Sequence, residues 1–251
     1  MTFFIVASIM VTIAVAALVL APRLEERRVI YNNEPDQPCG FGSDMAWIAV
    51  KTGDPNAVVA ALGLADPIPS NWDSGIGTVY NASLGERRVF VTPAVDGWVF
   101  VVGNALPHPH GRAFMDKCAP LLSDLSERLG DVQYFASYPD LDFFAWAKLS
   151  SGRTVRAFGI GDEGIVWQKG RTTREERTLG LTLFELRGVR GRRGDAGGEL
   201  LMHPTHEHVM RLAGAWSLNP TLLDSNQAAP ALGTMADVPA AWRPERLRKS
   251  A

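Results

Sequence analysis

Cysteine is scarce in this chain of 251 residues, with Cys39 and Cys118 the two examples. Two thiols are too few for a disulfide framework or a cysteine metal cluster, and they fit a reducing cytoplasm. An excess of charge is missing as well. The 25 Lys and Arg nearly balance 27 Asp and Glu, for a formal net charge of -2, so nothing in the total points to nucleic acid as a partner. The common catalytic signatures are lacking too: there is no Walker A, no GxSxG and no GxGxxG in the right context. Gly159 to Gly164 reads GIGDEG, but no helix is expected behind it to hold a phosphate. No cofactor is expected on these grounds. What is present is ordinary globular usage, 46% apolar and 21% charged, enough for a sizeable core.

Charge is wholly missing from Met1 to Ala21, MTFFIVASIMVTIAVAALVLA. At a rise of about 1.5 Å per residue, Phe3 to Ala21 as a helix spans roughly 28 Å, close to the ~30 Å hydrocarbon core of a bilayer. The segment is apolar all round rather than on one stripe, which argues against a buried core helix. A cleaved secretory signal is the rival reading. It calls for a basic region ahead of Phe3 and for a residue other than Pro22 behind a cut at Ala21. The reading adopted is a transmembrane anchor over 1–22 with the lipid bilayer as its partner. Arg23, Arg27 and Arg28 follow the segment and resist translocation, which sets the N-terminus outside and the rest in the cytoplasm. Secretion after signal cleavage is the alternative localisation.

Residues 23–44 read as a polar linker, since YNNEPDQPCGFGS combines Asn, Pro and Gly. An α+β domain is expected over 45–224. Met45 to Lys51 is a strand. Asp54 and Pro55 are the N-cap and first residue of a short helix that Gly63 stops. Ala65 to Ser74 reads as loop. Gly77 to Ala82, Arg88 to Thr92 and Gly97 to Gly103 read as strands, the last two almost continuously apolar and hence buried on both faces. A helix is expected from about Phe114 to Leu129, its regular part starting at Pro120. A meander follows in Val132 to Tyr138, Asp142 to Leu149, Thr154 to Ile160 and Ile165 to Lys169. Helices are expected over Arg171 to Leu186 and Pro204 to Leu218. The pattern predicts a mainly antiparallel or mixed sheet with helices packed on one face. Residues 225–251 are rich in Ala, Pro and Gly, end on Arg243, Arg246, Arg248 and Lys249, and read as a disordered basic tail.

Candidate site residues are few. His203, His206 and His208 form the histidine cluster, and three imidazoles suggest zinc. At about 100° per residue, however, His206 and His208 fall about 200° apart on a helix, so a polar first turn capped by Thr205 is favoured over a metal site. His108 and His110 flank Pro109 in a loop and read as exposed. Asp140 with Asp142, and Asp162 with Glu163, sit at turns where such residues are common for conformational reasons. Arg187, Arg190, Arg192 and Arg193 make a basic, Gly-rich loop that would attract anionic lipid or a partner near a membrane. Trp47, Trp72, Trp98, Tyr134, Tyr138 and Trp167 are candidates for a partner surface, with the core as their more common destination.

Four segments carry a resemblance: FVTPAVDGWVFVVG (Phe90 to Gly103), LSERLGDVQYFASY (Leu125 to Tyr138), FFAWAKL (Phe143 to Leu149) and VMRLAGAWSLNP (Val209 to Pro220). Together they resemble a group of uncharacterised bacterial membrane-anchored α+β proteins, over most of Trp47 to Asp224. The resemblance implies no site residue. By analogy of architecture such domains are similar to immunity or accessory proteins of toxin systems. The expected function is therefore a single-pass, membrane-tethered cytoplasmic domain that binds an unknown protein without catalysis. The alternatives are a metal-dependent hydrolase built on His203, His206 and His208, and an anionic-lipid-binding domain.

Overall fold

The computed structural model describes residues 31–109, 115–162, 164–181, 204–224 and 226–242. Nine strands form one fully antiparallel sheet in the order β2-β9-β3-β4-β1-β5-β6-β7-β8. The strands are β1 (Met45–Lys51), β2 (Ala65–Ser70), β3 (Arg88–Val91), β4 (Trp98–Val102), β5 (Asp131–Tyr138), β6 (Phe143–Ser150), β7 (Arg153–Gly161), β8 (Gly164–Lys169) and β9 (Gly233–Asp237). The helices are α1 (Pro55–Leu62), α2 (Trp72–Tyr80), α3 (Cys118–Leu129), α4 (Arg174–Thr178) and α5 (His206–Trp216). The α+β class and the antiparallel sheet agree with the expectation. Among the described residues no helix is long and apolar enough to cross a membrane; Met1 to Ala21 lies outside them.

Local chemistry explains much of this. Asp54 accepts from the backbone N–H of Asn56 and Ala57 and caps α1, and Gly63 ends that helix at φ 61°. The tight turns before β4 and β7 need two consecutive residues at positive φ. Asp96 (49°) with Gly97 (78°) and Ser151 (48°) with Gly152 (76°) supply them. Ser123 Oγ on α3 donates to the Gly152 carbonyl at 2.7 Å, so the second turn is tied to the helix above it.

The two sheet faces differ in kind. One row of directly opposed residues runs Phe90, Val102, Trp47, Phe135, Trp146, Phe158 across six strands. Its rings interlock: Trp47 stacks on Phe135 at 5.3 Å, and Trp146 lies 4.7 Å from Phe158. Above this row sit Trp72 of α2 against Phe90, Trp216 of α5 against Phe135, and Phe41 against Trp47 and Phe100. The opposite face carries the row Val91, Val101, Ile48, Tyr134, Ala147, Ala157. It is buried under Val58 and Leu62 of α1 and Cys118, Leu122 and Leu125 of α3. Each fully buried aliphatic or aromatic side chain contributes about 1.5–3 kcal/mol of transfer free energy.

Several expectations are corrected. Helices cover both faces, not one, because β1 and β4 are apolar on both sides and each side must be buried. Gly77 to Ala82 is not a strand: Trp72–Tyr80 is helical, with Asn71 capping the N–H of Ser74. Ala65 to Ser74 is not a loop, since Ala65–Ser70 pairs with β9. The supposed disordered tail contributes β9, which fills the gap between β2 and β3, and Trp242, which joins the aliphatic core. Of the helix expected over Arg171 to Leu186, the described part is Arg174–Thr178; residues 182–186 lie outside. The linker residue Phe41 is core, and Asp36 accepts from the N–H of Trp72 and Asp73 at the start of α2.

A buried ion pair fastens α4 to the aromatic face. Arg156 Nε sits 2.8 Å and 3.0 Å from the two Glu176 carboxylate oxygens, with the side chains 2% and 0% exposed. Trp146 Nε1 and the Thr173 N–H also donate to that carboxylate. The pair is thus fully supplied with donors, which is what a buried charge requires.

Candidate functional site

A cleft of about 360 Å³ opens where the β5, β6 and β7 ends meet the loop after β4. His108, Pro109, Tyr138, Leu141, Phe143, Gly161 and Asp162 line it. Strand alternation puts Tyr134 and Tyr138 on the same face of β5, the aliphatic one. The loop carrying His108 then crosses that face. His108 Nδ1 lies 2.9 Å from the Tyr134 hydroxyl, and Nε2 lies 3.3 Å from the Tyr138 hydroxyl. Tyr138 in turn donates to Asn104 Oδ1 at 2.8 Å. A neutral imidazole satisfies this set, accepting at Nδ1 and donating at Nε2.

Burial pushes the Tyr134 phenol well above its ordinary value, with Cys118 and Tyr138 beside it adding to the shift. Burial also raises Tyr138, and the Asp44 carboxylate contributes next. Both phenols are therefore held as neutral hydrogen-bonding groups. Cys118 is raised by its burial, with Asp116 second, so it is an inert core thiol. Cys39 is pushed up to about 11, by burial first and then by Asp36 and Asp73. Neither cysteine has the activated thiolate of a nucleophile.

The other candidate residues do not converge. His206 Nδ1 is 2.9 Å from Ser137 Oγ, whereas His208 Nδ1 turns back to Thr205, completing the capping box of α5. His203, His110, Glu163 and Arg187, Arg190, Arg192 and Arg193 lie outside the described residues. Among the described residues no group of three His, Cys, Asp or Glu is placed to hold a metal. Asp140 sits within the turn Pro139–Leu141 beside the cleft, and Asp142 follows it at φ 46°. Trp47, Trp72, Trp98 and Tyr134 are buried, and Trp167 and Tyr138 are half-buried.

His108 reads as an exposed loop residue in the sequence and is instead half-buried and bonded on both ring nitrogens. The usable signal is the spacing of Tyr134 and Tyr138, four apart on one strand face, below a loop stiffened by Pro107 and Pro109. No family model, curated protein or solved structure matches this chain.

Proposed function

We propose that this chain is a non-catalytic interaction domain held at the cytoplasmic face of a membrane by Phe3 to Ala21. The observation that supports the interaction reading is the unequal treatment of the two sheet edges. Edge strand β2 reads ADPIPS; Pro67 and Pro69 remove two backbone donors, and the register breaks between Ala65 and Ile68. That is how proteins block an edge from pairing with another chain. Edge strand β8 reads GIVWQK, has no proline, and pairs with β7 alone among the described residues. Ile165 on it is 45% exposed, and Val155 on β7 is 50% exposed. An extended segment added to such an edge gains main-chain hydrogen bonds and apolar contacts together.

A photo-crosslinking residue at Gln168 and another at Ile68 compare the edges in native membranes. The expected outcome is a discrete adduct from Gln168 and none from Ile68. Adduct patterns that are the same at both positions would sink the reading. Val166→Pro supplies the companion test, since it removes a donor from β8 and should abolish the Gln168 adduct.

A further inference from the structure

We propose that the cleft at His108 binds an alkylated ammonium group, quaternary or tertiary, carried on a short apolar stem. Three of its lining rings stand at steep angles to one another. His108 and Tyr138 are 5.3 Å apart at 88°, His108 and Phe143 are 6.0 Å apart at 76°, and Tyr138 and Phe143 are 6.1 Å apart at 49°. All three rings line the cleft, so an occupant meets aromatic surface from the β4–α3 loop, β5 and β6 together. Each face carries the negative lobe of the ring quadrupole and attracts a cation. Leu141, 63% exposed, and Pro109 complete the wall with apolar surface suited to methyl groups.

Charge points the same way. Asp162 lines the cleft, and among the described residues its carboxylate takes part in no hydrogen bond or ion pair. Asp140 and Asp142 stand on the adjoining turn, and among the described residues no Lys or Arg lines the cleft. The polar atoms inside are engaged with each other, His108 with Tyr134 and Tyr138, and Tyr138 with Asn104. A bare ammonium entering here would shed water from three N–H donors, and the Asp162 carboxylate at the rim accepts from only part of them. A methylated ammonium has little or no donor capacity to satisfy, so this cleft discriminates in its favour. The inference does not depend on the β8 edge reading.

The test is a titration of the full chain with tetramethylammonium and with its neutral near-isostere tert-butanol, followed by calorimetry and by the ring resonances of Tyr138 and Phe143. Saturable binding of tetramethylammonium, about tenfold tighter than tert-butanol, is expected from the cation–π contribution. Phe143→Leu keeps an apolar wall but removes a π-face and should weaken binding about tenfold. Asp162→Asn, at an exposed position that leaves the fold intact, should weaken it about threefold. Ile68→Ala on the far edge should change nothing. Equal affinity for the cation and tert-butanol, or full affinity in both Phe143→Leu and Asp162→Asn, overturns the proposal. Choline and an N-acetyl trimethyl-lysine amide then distinguish sources: tighter binding of the amide assigns a peptide side chain, and tighter binding of choline assigns a free headgroup.

Discussion

The two faces of the sheet solve the same burial problem with opposite materials. The row through Phe90, Trp47, Phe135, Trp146 and Phe158 is made of large rings, and its cover comes in separate pieces: α2, α5 and the connector residue Phe41. The row through Ile48, Ala147 and Ala157 is aliphatic apart from Tyr134, and a twelve-residue helix, α3, packs over it with Leu122 and Leu125. Large rings interdigitate with individual partners. Small residues let a long helix approach closely. The polar groups differ in the same way. On the aromatic face they are sealed in: Arg156 and Glu176 pair away from solvent, and Trp47 Nε1 and Gln133 Oε1 are buried without a partner among the described residues. On the aliphatic face the Tyr134, His108 and Tyr138 chain comes to the surface at the cleft. The comparison teaches that enclosure marks the structural polar network and access marks the candidate functional one.

The strongest way to break the aromatic face is to remove one partner of its ion pair. Glu176→Ala leaves Arg156 as an uncompensated buried charge and also frees Trp146 Nε1 and the Thr173 N–H. The expected loss is about 3–5 kcal/mol, read as a fall in the denaturant midpoint at constant slope. The double change Arg156→Met with Glu176→Leu should recover most of that loss, because neither charge then remains to be compensated. A double variant no more stable than Glu176→Ala would show that the network is needed for its hydrogen bonds rather than its charges.

The next test exploits size. Ala147→Leu adds volume where α3 lies against the sheet and should cost about 1–3 kcal/mol by overpacking. The loss should exceed that of Ala231→Leu, which lies in the half-buried bridge to Asp36 outside both rows. Equal losses would mean that the aliphatic face is no more tightly fitted than the periphery.

The strands that build both rows were legible because VFV and WVFVV are apolar without interruption, and because Phe143 to Leu149 is apolar on either side of its alternation. Their double burial also implies cover on both faces, a consequence the reading of helices on one face did not draw. What escaped depended on contacts distant in sequence. Gly75 and Gly77 make α2 look like a poor helix, yet a Cβ at Gly75 would overlap the Phe90 ring, and one at Gly233 would meet the same ring at 2.6 Å. Phe90 thus selects glycine on two elements that sequence alone cannot bring together. Strand β9 lies among Ala, Pro and Gly and is specified by pairing with Arg88–Val91 and Ala65–Ser70, well over a hundred residues away along the chain. The Thr205 cap on α5 was legible from local spacing, whereas the cleft was not, since His108 joins Tyr134 and Tyr138 across 26 and 30 positions.

The smallest expected effect at neutral pH sharpens the comparison through titration. Tyr134→Phe removes one buried hydroxyl and its bond to His108, a loss of about 1 kcal/mol at pH 7. The larger consequence lies at alkaline pH. Folding raises the pKa values of Tyr134, Tyr138 and Cys118 above their unfolded values, mainly by burial, so the native state favours their protonated forms. The stability they contribute is complete below the unfolded values and is lost as pH rises past roughly 9–10 toward the raised native values. All three groups belong to the aliphatic side, so alkaline unfolding should begin there. Amide exchange at pH 10 should accelerate first in α3 and β5, with α2 and β3 following. Tyr134→Phe should move the alkaline midpoint upward even though it is slightly destabilising at pH 7, a crossing of two stability curves that mere loss of packing cannot produce. Parallel curves for the variant and the natural chain from pH 7 to pH 11 would remove the buried phenol as the cause and leave the two faces alike in their response to pH.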